Sequence, residues 1–298
     1  MLWLLPVPFL SHHTMPSPPT FLLLFQLILL FSFQTHSQNA HIITSCSADN
    51  FTYSNPYASN LQLLLSNLTT SAPNSSTYSS TFTIGTSPNS QIFGLSQCRP
   101  DVSPAICVSC LSNAASTAIG NSSTGCGKCK SAALRFEHCF LRYSDRRFFG
   151  IADDSVYISL YNLKNASDPA AFDSRRNSLM REVSHKAASA ASRFAVGMKK
   201  AGDSYNVYGL AWCTTDLFTS DCAKCLYSAG SFLVKQKIGG MVGFPSCLVR
   251  FEVYVFFSLD LLFDIPSPPV RPAVAETPTV TNLALGNGVD STGRKEKY

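Results

Sequence analysis

Between Cys107 and Cys129 the chain reads "CVSCLSNAASTAIGNSSTGCGKC", two Cys-x-x-Cys pairs separated by fifteen residues. Four thiolates at this spacing can close a tetrahedral cage around zinc. In an oxidising compartment the same cysteines belong to disulfides instead. Other chemistry-bearing residues are sparse. Beyond residue 38 the histidines are His41, His138 and His185. No Gly-x-Ser-x-Gly elbow, His-Glu-x-x-His helix or phosphate-cradling glycine loop occurs. His138 adjoins Cys139, which suits thiol catalysis only if that sulfur is free. As a residue within a strand, it reads as a half-exposed sheet position. The acidic pair Asp153–Asp154 reads as a solvated turn. The expectation is a chain with no catalytic residue, no metal and no cofactor.

The compartment comes from the N-terminus. Residues 21–33, "FLLLFQLILLFSF", form a thirteen-residue run broken only by Gln26 and Ser32. That length suits the apolar segment of a signal peptide and is short for a membrane span. The expected signal peptide is 1–38, cleaved near Ser37. No Lys or Arg precedes the run, so Met15 is an alternative true start; a retained signal anchor is the alternative outcome. Five sequons, at Asn50, Asn67, Asn74, Asn121 and Asn165, can accept N-linked glycan in a secreted chain. The formal charge of +5 is spread without a basic run or acidic block, so no nucleic-acid partner is expected.

The elements that position the cysteines occur twice. "IFGLSQCRPDVSPAICVSC" (92–110) lies against "VYGLAWCTTDLFTSDCAKC" (207–225) without a gap. Gly94, Leu95 and Asp101 recur as Gly209, Leu210 and Asp216. "CFLRYSDRRFF" (139–149) lies against "CLVRFEVYVFF" (247–257), so Arg142 matches Arg250 and Phe148–Phe149 match Phe256–Phe257. Upstream, Leu64 matches Leu179. This is the signature of a tandem duplication. It argues against zinc, because the second copy keeps Cys222 and Cys225 but has no counterpart of the second pair.

Apolar spacing predicts helices over 60–68 and 172–190, the latter opened by Asp168 and Pro169, with second helices over 105–118 and 221–236. Strand candidates are "TFTIG", "IFGLSQC", "ALRFEHCFLRY", "VYISLY", "VYGLAWC" and "CLVRFEVYVFF". The expected organisation is one domain over 39–150, a second over 151–260, and a Pro/Thr-rich extended tail over 261–298.

The doubled Cys-x8-Cys-x2-Cys pattern, preceded by "YGL-x-x-C" and followed by "C-x-x-R-Y/F", resembles the plant ginkbilobin-like antifungal domain over residues 41–258. Tandem pairs of that domain make up cysteine-rich repeat secretory proteins and the ectodomains of cysteine-rich receptor-like kinases and plasmodesmata-located proteins. The resemblance implies an α+β fold, two helices on an antiparallel sheet of about five strands in each copy. It also implies the pairings Cys98–Cys107, Cys110–Cys139 and Cys46–Cys126, then Cys213–Cys222 and Cys225–Cys247. Cys129 is left as the odd thiol, either buried and free or engaged between molecules. Chain-entropy arguments make the Cys46–Cys126 loop worth about 4.5 kcal/mol and the Cys98–Cys107 loop about 2.7 kcal/mol. The second copy lacks the longer bond and is expected to be the more fragile half unless it leans on its neighbour.

Mannose-binding members carry Asn, Arg and Glu at three places where this chain has Ser47, Ala133 and Ser144 in copy one. Copy two has Met241 and Glu252 at the Arg and Glu places. Glu252 is thus the weak ligand-binding candidate, with a surface strand position as its ordinary reading. The resemblance implies a non-enzymatic protein of the apoplast in plant defence or stress signalling, with a cell-wall glycan or cell-surface protein as partner. The alternatives are a receptor-like kinase ectodomain cut before its membrane span, whose kinase segment would carry phosphoryl transfer, and an antifungal mannose-binding lectin.

Overall fold

A computed structural model describes residues 40–52, 56–120, 125–155, 158–202 and 205–262. The signal segment with Met15, Asn121 and the tail from residue 263 lie outside the described residues. Copy one runs β1 (His41–Cys46), α1 (Pro56–Ser71), β2 (Ser79–Ile84), β3 (Ile92–Cys98), α2 (Pro104–Ile119), β4 (Ala132–Phe136) and β5 (Cys139–Ser144). Copy two repeats the order as β6 (Ile158–Tyr161), α3 (Pro169–Ser189), β7 (Phe194–Lys200), β8 (Asn206–Cys213), α4 (Thr219–Ser231), β9 (Gly240–Gly243) and β10 (Cys247–Glu252). Two antiparallel five-stranded sheets result, ordered β1-β4-β5-β3-β2 and β6-β9-β10-β8-β7. Each copy is the α+β unit that the family resemblance implied.

Local chemistry starts the helices where the sequence places them. Ser103 accepts a hydrogen bond from the Ile106 amide at 3.3 Å, and Asp168 accepts one from Ala171 at 3.1 Å. A proline follows each cap, where its missing N–H costs nothing. Leu61, Leu64, Leu65 and Leu68 form the buried stripe of α1; Phe172, Leu179, Met180 and Val183 do the same for α3. The recurring glycines explain how closely these helices approach the sheets. A Cβ at Gly94 would stand 2.7 Å from a Leu64 methyl, and one at Gly209 would stand 3.1 Å from Leu179. Glycine is required there by the space, not by a turn.

The sequence expectations differ from the structure in several places. "ALRFEHCFLRY" is two strands joined at Glu137–His138, so His138 lies in a hairpin turn and not within a strand. The helix expected to 236 ends at Ser231, after which Gln236 takes a positive φ of 68°. The last strand ends at Glu252, and the aromatic segment beyond it leaves the sheet. Strands β1, β7 and β9 had no counterpart among the sequence candidates. Leu261 and Leu262, placed in the extended tail, belong to a 3-10 turn over Leu259–Leu262.

The outer face of each sheet packs on its helices, giving two separate cores. The inner faces meet each other in a third core, with Leu95, Phe140 and Phe148 from copy one against Phe194, Leu210, Trp212 and Leu248 from copy two. Gln97, fully buried, hydrogen-bonds across this junction: it donates to the Cys213 carbonyl at 3.1 Å and accepts from the Thr215 amide at 2.9 Å. Arg135 is also buried here, its guanidinium 4.6 Å from the Phe140 ring centroid and 5.0 Å from that of Trp212. Burial pushes Arg135 well below the usual guanidinium range, though such a group stays charged at neutral pH. No carboxylate pairs with it among the described residues.

The structure pairs Cys46 with Cys126, Cys98 with Cys107, Cys110 with Cys139, Cys213 with Cys222 and Cys225 with Cys247. Cys129 is unpaired and half-buried, and burial pushes its thiol up, away from the reactive thiolate. In copy two the register places Tyr161 and Val234 where copy one has Cys46 and Cys126, since the Asn50–Cys129 bridge is repeated by Asn165–Lys237. An ionic bracket replaces the disulfide. Arg176, at the Leu61 position, donates to the Val234 carbonyl at 2.9 Å and pairs with Asp173 at 3.1 Å. Asp173 in turn accepts from the Gln236 amide at 3.1 Å.

Two stability outcomes are expected. Arg176→Leu leaves the Val234 carbonyl and Asp173 without their cation, so it should destabilise the protein by about 2–3 kcal/mol and raise amide exchange across 232–238. Unchanged exchange there would show that the bracket does not hold the loop. Desolvating an unpaired guanidinium costs several kcal/mol, while two desolvated ring contacts return about 2 kcal/mol each. Arg135→Met should therefore raise stability in urea unfolding by about 1–2 kcal/mol; a loss would mean the ring contacts outweigh the burial.

Candidate functional site

Where the two copies meet, a cleft of about 620 Å³ opens beside a cluster of charged side chains. It is lined by the end of β3, the start of α2, the β4–β5 turn and the segment after β10. Arg99, immediately after Cys98, is 3% exposed and pairs with Asp101 at 2.5 Å and with Glu137 at 2.9 Å. Glu137 Oε1 also accepts from Arg250 at 2.9 Å, and Arg250 reaches Glu252 at 3.2 Å. One carboxylate oxygen thus joins a guanidinium from each copy. Arg99 also donates to the Phe256 carbonyl at 3.1 Å, and the Ser258 amide donates to Asp101 at 3.2 Å. These bonds pin the last segment of copy two onto copy one.

The same device runs in the opposite direction. Asp216, the counterpart of Asp101, accepts from the Gly150 amide at 2.9 Å and so holds the end of copy one against copy two. Arg142 lies 4.3 Å from the Phe148 ring centroid, and Arg250 lies 4.3 Å from that of Phe256. The recurring Asp, Arg and Phe residues are therefore the reciprocal straps of a pseudo-twofold interface. Arg99 and Glu137 break that symmetry, because Thr214 and Pro245 occupy their places in copy two. The charged cleft consequently forms on one side.

Burial shapes the charges. Glu252 is pushed above the usual carboxylate range, first by burial and against the pull of Arg250. Burial alone would lower Arg250, but Glu137, Glu252 and Tyr254 together hold it above its ordinary value. Tyr254, about half exposed, donates its ring and hydroxyl to the mouth of the cleft, the hydroxyl accepting from Arg250 at 3.2 Å. Planar charged groups next to an exposed aromatic face can bind hydroxyl-rich or peptide-like ligands by directed hydrogen bonds. No group of three His, Cys, Asp or Glu side chains is arranged as a metal site among the described residues.

The residues singled out from sequence are scattered. Glu252 is not a surface strand residue: its side chain is 13% exposed because Arg250, two positions along the same strand face, draws it inward. Met241 lies in the junction core. Ser47 and Ser144 make local bonds, to Ser131 N at 3.0 Å and Ser131 Oγ at 2.9 Å respectively. Ala133 sits opposite Arg142 on neighbouring strands. His138 does line the cleft, and its carbonyl accepts from the Arg99 amide at 2.9 Å. Asp153 is not a solvated turn residue but pairs with Arg142 at 2.9 Å; Asp154 is exposed. Asn50, Asn74 and Asn165 are exposed, and Asn67 is half-buried on α1. Sequence reading missed Arg99, Glu137 and Tyr254. The only available signal was the Arg-x-Asp directly after Cys98, which copy two does not share.

The architecture defines a class: a disulfide-stapled α+β module, duplicated and closed sheet against sheet. The model of the salt stress response/antifungal family matches residues 45–146 and 160–254, and the chain belongs to that family. It is 35% identical over 246 residues to cysteine-rich repeat secretory protein 38 of Arabidopsis thaliana, covering 80% of this chain and 94% of that protein. An antimicrobial ginkbilobin-2-like protein of Castanea crenata is 34% identical over 76% of this chain and 94% of its own length. Cysteine-rich receptor-like protein kinase 6 of Arabidopsis thaliana is 30% identical over 83% of this chain, but the match spans only 38% of the kinase. The tandem DUF26 ectodomain of the Arabidopsis thaliana cysteine-rich receptor-like protein PDLP8 superposes with a TM-score of 0.62 at 25% identity, over 72% of this chain and 99% of that one. Among the described residues no helix is long and apolar enough to cross a membrane.

The raised Glu252 carboxyl has a definite pH consequence. A folded-state value above the unfolded one favours folding fully below about pH 4 and loses that contribution as pH rises through the folded value. Glu252→Gln should remove this downward component from the stability profile measured between about pH 4 and pH 7. Identical pH slopes for the two proteins would show that Glu252 does not titrate abnormally.

Proposed function

We propose that this chain is a secreted, non-enzymatic tandem-repeat protein that binds an extracellular carbohydrate or protein partner in plant defence or stress signalling, with the junction cleft as its binding site. The observation that carries the reading is the one-sided cluster of Arg99, Glu137 and Arg250 beside the exposed ring of Tyr254. The opposite strap closes through Asp216 without such a pair, so Arg99 and Glu137 add to closure a charged surface that the other side lacks. The family's secretory members support export, as does the signal segment read from the sequence. The accessible sequons Asn50, Asn74 and Asn165 are expected to carry glycan.

A second reading, the sensing half of a cysteine-rich receptor-like kinase, is favoured by relatives such as kinase 6, which matches over 83% of this chain. Reading the transcript past the codon for Tyr298 separates the two. The mannose-lectin reading has less support, since the three family positions hold Ser47, Ala133 and Ser144 in one copy and Met241 in the other.

The binding reading is tested by probing arrays of cell-wall glycans and of cell-surface ectodomains with the secreted protein and its Tyr254→Ala variant. At least one ligand should be retained by the wild type and weakened about tenfold by the variant, a loss of about 1.4 kcal/mol. Retention that Tyr254→Ala leaves unchanged would place binding elsewhere on the molecule.

A further inference from the structure

Helices α3 and α4 of copy two enclose a groove of about 450 Å³ that shares no lining residue with the junction cleft. Its floor is apolar: Met180, Leu226 and Leu233 are all buried. Its rim is cationic. Arg181 and His185 stand one turn apart on α3, and Lys235 stands beyond the end of α4. No acidic residue lines it. The carboxylates of the two helices are occupied elsewhere: Asp173 by Arg176, Glu182 by Lys186 and Lys199, and Asp221 by Lys224. Arg181 and Lys235 make no ion pair among the described residues, so the rim charge is not neutralised from within.

The duplication supplies an internal control. The corresponding groove of copy one is about 290 Å³ and is lined by no charged residue. Ser66 and Ser112 stand there in the places of Arg181 and Tyr227. Copy two instead exposes Tyr227, at 79%, over an open rim. The fold needs the groove floor in both copies, and it needs the cations and the tyrosine in neither.

We propose that this groove docks an acidic peptide segment, one apolar side chain seated between α3 and α4 and flanking carboxylates on Arg181 and Lys235. The apolar floor selects a peptide over an acidic sugar, whose ring hydroxyls would meet Met180, Leu226 and Leu233 where hydrogen-bonding groups are needed. The cations complement carboxylates, and the volume lies within the usual range of ligand sites. The mode is that of a short segment laid in an interhelical groove.

The test pans a random displayed-peptide library on the intact secreted protein, with the Arg181→Glu/Lys235→Glu double variant as counter-selector. Both positions are exposed, so the variant should retain the wild-type melting temperature. Enriched peptides should carry Asp or Glu on both sides of a Leu- or Phe-type residue. In anisotropy titrations their affinity should fall at least about tenfold in the double variant, in Tyr227→Ala, and on raising salt toward about 1 M. No enrichment over the double variant, or enrichment of neutral or basic peptides, would overturn the proposal. So would a galacturonate oligosaccharide that binds the groove when the peptides do not.

Discussion

The sheet-on-sheet junction is the constraint from which the remaining structure follows. A five-stranded sheet with two helices on one face still has a second face, and in each copy that face is apolar. Leu95, Phe140, Phe194, Leu210 and Trp212 would all lie in water if the copies separated. Large apolar areas of that kind are not tolerated on a soluble surface. Packing the two faces together removes the aromatic side chains from water, at roughly 25 cal/mol per Å². The disulfides cannot do this, because each lies within one copy. They hold each helix-and-sheet unit together, and the junction makes one compact unit of the pair.

Once the junction exists, the straps around it follow. The segment after β5 crosses to Asp216 and the segment after β10 crosses to Asp101, so each copy completes its neighbour. A near-symmetric interface of this kind tolerates divergence where the two halves do not need to match. Arg99 and Glu137 against Thr214 and Pro245 produce a charged cleft on one side. Arg176 against Leu61 produces an ionic bracket in place of a disulfide. Each rests on a few positions at which the two copies hold different residues.

Much of this was legible in sequence. The half-cystine spacing, the helix stripes of Leu64 and Leu179 and the cap Asp168 all rest on local rules. The recurrence of Asp101, Arg142 and Phe148 in copy two was visible too, but only as a mark of duplication. That these residues hold the copies together depends on contacts between positions more than sixty apart, which no local pattern encodes. Strands β7 and β9, like β1, were not picked out from the sequence. "FAVGMKK" and "GMVG" contain glycines that weaken any strand preference, and they become strands because neighbouring edges pair with them. The turn at Glu137–His138 was hidden because this two-residue hairpin carries no glycine or proline to announce it.

The expectation that copy two is the more fragile half carried one condition, that it does not lean on its neighbour, and the structure shows that it does. The structure changes the terms of that comparison. Copy two contributes Trp212, Phe194 and Met241 to the junction, while its loop is tied by Arg176 where copy one uses Cys46–Cys126. A covalent tie acts by restricting the unfolded chain, whereas the ionic bracket and the junction act only in the folded state. Local opening of copy two must therefore break the junction first, and breaking it exposes the inner face of copy one as well. Weakness in one half is shared with the other, so the pair should unfold together more readily than either helix-and-sheet unit unfolds by itself.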